Sequence, residues 1–125
     1  MAKPDECLCC EGPKLIFPCS GAADVGAIAD QAARKMTQDG VGRMFCLAGI
    51  GGRVNNIMKS TEAASKILAI DACPADCASR CLKEAGFTTF LQVQLADIGL
   101  EKGKSPVSEE NIAMVVARGQ SLLEG

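Results

Sequence analysis

Eight cysteines, Cys7, Cys9, Cys10, Cys19, Cys46, Cys73, Cys77 and Cys81, stand in a chain of 125 residues that has no histidine, tryptophan or tyrosine. Thiolates hold soft and borderline metal ions and carry out disulfide exchange, so metal binding and thiol chemistry are the leading readings. The missing histidine removes a Ser–His–Asp triad, a His-based metalloprotease site and a histidine general acid or base. The opening run MAKPDECLCCEG lacks the apolar stretch of a secretion signal, and nothing in the chain is apolar for long enough to span a bilayer. The expectation is a cytoplasmic protein with no membrane partner, in which such a density of thiols calls for a chemical reason.

The order of the cysteines acquires meaning once the elements that carry them are read. Lys14 to Cys19 is a short apolar run ending in Ser20-Gly21, the pattern of a buried strand that stops in a turn. Val25, Ile28, Ala29, Ala32, Ala33 and Met36 follow a helical repeat, with Asp24 as the expected N-cap and Gly40 as the stop. Arg43 to Leu47 reads as a second strand running into a glycine-rich turn from Ala48 to Gly52, followed by a short helix with Val54, Ile57 and Met58 inward. Lys66 to Asp71 is a third strand, and Cys73-Pro74 suits the first turn of a helix ending near Gly86. Thr88 to Gln94 alternates as a half-exposed fourth strand; 97–107 is a loop, and Ser108 opens a last helix with Glu109 and Glu110 in its first turn.

Strands alternating with helices predict a small doubly wound α/β fold: three layers around a four-stranded, mostly parallel sheet of order 2-1-3-4. Its length and 48% hydrophobic content fit one domain, read as residues 13–125 behind a Cys-rich N-terminal segment of residues 1–12. The 13 Lys and Arg nearly balance the 15 Asp and Glu, which argues against a nucleic-acid partner. Protein partners are not specified by these residues, and a homo-oligomer is compatible with them.

In that fold Cys19, Cys46 and Cys73 come from distant parts of the chain to the carboxyl edge of one sheet, where open α/β sheets bind ligands. Adjacent strand ends lie about 4.8 Å apart, and tetrahedral zinc sets its sulfurs about 3.8 Å apart. Cys77, four residues after Cys73, is the best fourth ligand. Cys81, a further turn along, would stand about 12 Å from Cys73 and reads as a packed thiol. Cys7, Cys9 and Cys10 could fold over the site or form an exposed tail. Gly49, Gly51 and Gly52 make no dinucleotide or P-loop fingerprint. Asp24 and Arg53 read as a cap and a surface charge near the mouth, and Asp71 is expected to brace the loop that presents Cys73.

The motifs Pro-Cys-Ser-Gly at 18–21, Phe-Cys-Leu-Ala-Gly-Ile-Gly-Gly at 45–52 and Asp-Ala-Cys-Pro-Ala-Asp-Cys-Ala at 71–78 together resemble those of the small prokaryotic DGC-domain proteins. The resemblance implies an uncharacterised role and four cysteines proposed as zinc ligands, matching Cys19, Cys46, Cys73 and Cys77. Ala72 stands where the family motif has glycine. Were that residue required at positive φ, the alanine would be strained by about 1 kcal/mol. The expected function is a zinc site of thiolates. The alternatives are a thiol redox or sulfur-transfer enzyme using Cys73 at a helix start, and an iron–sulfur cluster.

Overall fold

The computed structural model describes residues 12–125. Its elements run β1 (Lys14–Pro18), α1 (Asp24–Gln38), β2 (Arg43–Met44), α2 (Leu47–Gly51), α3 (Asn55–Glu62), β3 (Lys66–Asp71), α4 (Cys77–Glu84), β4 (Leu91–Gln94), a 3₁₀ turn (Leu95–Ile98) and α5 (Glu109–Glu124). All strand pairs are parallel and the order is β2-β1-β3-β4, as the alternation of elements predicts.

The period of two along each strand divides the core into two layers. Ile16, Leu68, Ile70 and Val93 face α1 and α5, where Ile28, Ala32, Met36, Val115 and Leu123 are buried against them. Leu15, Phe17, Ile67 and Ala69 face the other way, onto Ile50, Ala78 and Leu82 of α2 and α4. Both faces of β1 and β3 are therefore apolar, which explains why these two central strands read as continuous hydrophobic runs. Phe17 and Phe45 meet edge to face, with centroids 6.0 Å apart.

Four local expectations are corrected. β2 holds only two paired residues, because after Phe45 donates its N–H to the Ile16 carbonyl at 2.8 Å the chain leaves the sheet edge and winds into α2. The glycine-rich run 48–52 is thus mostly a short helix, capped by Cys46, rather than a turn. β4 starts at Leu91, while Phe87 and Phe90 of the lead-in pack into the α2–α4 layer. Asp24 is the first helical residue of α1 and Ala23 the N-cap; the Asp24 carboxylate instead accepts the N–H groups of Val25 and Gly103. Gly40 and Gly86 end α1 and α4 with φ of 78° and 98°, a conformation open to glycine.

Candidate thiol site

β1 is paired with β3 along its whole length, Pro18 opposite Ile70, and the Cys19 N–H continues the ladder to the Ile70 carbonyl at 2.8 Å. This register fixes Cys19 beside the turn that follows β3. The Ala72 N–H lies close enough to the Cys19 sulfur to favour its charged form, and Cys77, Asp71 and Cys73 are near enough for negative charge on them to act on it. Burial is the main cause that pushes the Cys19 thiol above its ordinary pKa; the Ala72 N–H works against this, and the neighbouring acidic groups add to it.

The turn 72–76 is built from a buried carboxylate outward. Asp71, at the end of β3, is fully buried. It accepts the Ala78 N–H at 2.7 Å and the Ser79 N–H at 3.3 Å, together with the Ser79 hydroxyl at 2.5 Å. It also accepts Gln92 Nε2 at 2.8 Å. A side chain from the preceding strand thereby satisfies the first N–H groups of α4 that no helical carbonyl can reach. The helix consequently begins at Cys77 and not at Cys73-Pro74. Cys73 lies in the turn, its carbonyl accepting the Asp76 N–H at 3.1 Å, and Cys73 and Cys77 are not on one helical face.

Asp76 closes the turn at φ 56°, a left-handed conformation uncommon for a residue with a side chain. Its Oδ1 accepts Gln94 Nε2 at 2.6 Å and Gln92 Nε2 at 3.1 Å, and Gln94 also donates to the Cys73 carbonyl at 3.1 Å. Ala72 is not at positive φ, so the strain expected of an alanine there is absent and sits at Asp76 instead. The expectation that Asp71 braces the Cys73 loop holds. The glutamine pair on β4 was not anticipated. Its signal is two glutamines at i and i+2, one face of a strand, with Gln94 in register with Asp71.

The other cysteines divide. Cys46 lies two residues past Met44, at the same edge one strand over, but it is exposed and its sulfur accepts the Gly49 N–H at 3.3 Å as the N-cap of α2. Cys81 is half-buried with its sulfur toward the Leu47 carbonyl at 4.0 Å, against α2 and away from Cys19. Cys7, Cys9 and Cys10 lie outside the described residues. Arg53, at φ 57°, turns away from the mouth: its guanidinium donates to the carbonyls of Ile50, Gly51 and Glu84, tying the ends of α2 and α4 together.

Cys19, Cys73 and Cys77 are thus gathered around one strand end, with Cys46 alongside. Among the described residues no three cysteine, aspartate or glutamate side chains stand at the mutual spacing a bound ion imposes. The donor set is that of a soft or borderline ion, and drawing it together needs rotation of the sulfurs about the turn. None of the described helices is long and apolar enough to cross a membrane.

Residues 15–118 match the DGC domain. A protein of Pseudomonas aeruginosa, the anaerobic and virulence modulator AnvM, is 32% identical over 88 residues, spanning 70% of this chain and 67% of that protein. No solved structure matches the chain.

Proposed function

Because this chain belongs to the DGC-domain family, we propose that its cysteines at the carboxyl edge of the sheet form a thiolate metal site, with zinc as the ion. The observation that carries the reading is the flanking of Cys19 by Cys73 and Cys77, three sulfurs from two strand ends and a helix start. Cys46 supplies the fourth donor once it gives up the Gly49 N–H. Four thiolates around zinc make a closed, structural centre, whereas three leave a position open to a small ligand.

The chain's own groups would prepare the site in distinct ways. The Ala72 N–H stabilises negative charge on the Cys19 sulfur, which opposes the cost of burying it. Asp71, Gln92, Gln94 and Asp76 hold the turn that carries Cys73 and start the helix that carries Cys77. The same arrangement works against the redox alternative. Cys73 precedes α4 by four residues, so it does not occupy the helix start on which that reading relies, and the first N–H groups of the helix are already taken by the Asp71 carboxylate.

Elemental analysis of the full chain purified without a metal-binding tag tests the proposal. About one equivalent of zinc is expected, lost in the double variant Cys73→Ser with Cys77→Ser and retained in Cys81→Ser. Chelation should lower the melting temperature of the parent and leave that of the double variant unmoved. Iron in place of zinc would transfer the site to cluster chemistry. A parent without metal, or a double variant that keeps it, would overturn the proposal.

A further inference from the structure

Between β1 and β3 the order of the sheet reverses, since the chain passes from β1 to β2 on one side and then to β3 on the other. In open parallel sheets the crevice outside the strand ends at this position is where ligands bind. A cavity of about 470 Å³ opens there, with Cys19 and Cys73 in its wall, the start of α1 along its side and Lys102 at its rim. That volume falls in the range of small-molecule sites.

Its lining is chiefly apolar, from Ala23, Val25 and Ala72 beside the two sulfurs. A Cβ placed on Gly26 would stand 2.8 Å from the Gly21 backbone nitrogen, so the first turn of α1 is pressed against the turn after β1. Among the described residues Lys102 is the one charged side chain of the lining, and the loop that presents it is anchored. Both oxygens of Asp24 accept the Gly103 N–H at 3.0 Å, and the Glu101 N–H donates to the hydroxyl of buried Ser105 at 2.9 Å. The neighbouring acids are engaged: Asp24 with backbone N–H groups, Glu101 with Lys104 at 3.6 Å. Among the described residues no carboxylate lies within ion-pair distance of Lys102.

We propose that this cavity binds a small organic monoanion of the short-chain carboxylic acid class. The Lys102 ammonium takes the carboxylate, and the carbon body lies over Ala22 and Ala23 toward the sulfurs of Cys19 and Cys73. Among the described residues, one cation without an ion-pair partner stands beside apolar walls, which selects one negative charge and a hydrocarbon body; a polyanion would find no second cation among these residues, and a neutral polar molecule would leave its dipoles against carbon. The inference goes beyond the metal reading, because it uses the thiols as walls and requires no ion.

Titration of the ¹⁵N-labelled full chain with butyrate, followed by backbone amide shifts, tests it. Saturating shifts are expected at Gly21, Ala22, Gly26 and Lys102. Uncharged butanamide should bind about tenfold more weakly, the loss of one charge-assisted contact. Lys102→Glu should weaken butyrate by about the same factor or more. Ala22→Phe, which fills the mouth from an exposed position, should do likewise and serves as a check independent of charge. Absence of saturating shifts at these amides, equal binding of butanamide, unchanged affinity in both variants, or shifts centred on the separate groove that Gln31 of α1 and Ile112 and Val116 of α5 line would each overturn the proposal. Protein found to be metal-free but showing these shifts upholds it while the metal reading fails.

Discussion

The two flanks of the cysteine-bearing edge are held by different means. On the β3–β4 side, Cys73 and Cys77 are positioned by a buried carboxylate that accepts four hydrogen bonds and by a glutamine pair bonded to a second carboxylate. On the β1–β2 side, the Cys46 side chain is held by one bond from its own helix, and the loop over the cavity by the Asp24 carboxylate and the Ser105 hydroxyl. The first flank is anchored on a buried carboxylate and cross-linked through three elements, with Gln92 at its exposed rim; the second is local and more exposed. Buried polar groups cost much when a partner is removed, while exposed ones exchange it for water. The two flanks should therefore answer substitution very differently.

The largest effect is expected at Asp71. Asp71→Ala leaves the Ala78 and Ser79 N–H groups and the Ser79 hydroxyl without their acceptor inside the protein, with Gln92 left to Asp76 alone, and should cost about 3–5 kcal/mol in denaturant unfolding. Asp71→Asn keeps one oxygen for the helix but turns an amide donor toward other donors, so its loss should be smaller yet still above 1 kcal/mol, taken as about the value of one unsatisfied buried group. A change near zero for Asp71→Ala would mean that water reaches the network, and the contrast between the flanks would disappear.

Asp76 comes next. Asp76→Val places a β-branched side chain at φ 56° and removes one of the two acceptors of each glutamine, for a loss of about 2 kcal/mol or more. Asp76→Asn, which tolerates that conformation and keeps Oδ1, should stay within about 0.5 kcal/mol of the parent. If the two variants unfold alike, the left-handed conformation is not what the position demands.

Cys46→Ser sharpens the comparison from the other flank. Serine is a preferred N-cap and accepts the Gly49 N–H better than sulfur does, so unfolding of the metal-free chain should change by no more than about 0.5 kcal/mol. A loss as large as that of Asp76→Val would show that Cys46 is packed rather than merely capping.

Much of this was written in the sequence and some was not. The apolar runs at Leu15–Phe17 and Ile67–Ile70 and the helical repeat from Val25 to Met36 led directly to the sheet, its order and the edge to which Cys19 and Cys73 come. These signals are strong because burial on both faces leaves little choice of side chain. The start of α4 was misread because Pro74 satisfies a local rule, while the group that starts the helix, Asp71, belongs to the strand before it and acts across space. α2 was hidden for a related reason: glycine at 49, 51 and 52 lowers its helix propensity, but the Cys46 cap and the Arg53 guanidinium supply partners at its two ends. The role of Gln92 and Gln94 depends on register with β3, which no local pattern contains.

The smallest effect concerns acid. The Asp24 carboxyl lies below its ordinary pKa, chiefly because the Gly103 N–H favours the charged form; the Val25 N–H acts in the same direction, and desolvation opposes them. A carboxyl with its pKa depressed in the folded state adds stability that is complete above the unfolded value and lost as pH falls through the folded one. The window thus lies below 3.8. Gly103 should therefore keep its amide protection relative to the intrinsic exchange rate down to about pH 4 and lose it below. Asp24→Asn should remove this pH dependence and lower the protection throughout, while amides of β3 keep theirs. Release of Gly103 and β3 together would mean that the loop is part of the cooperative core, and the surface flank would then be as firmly built as the buried one.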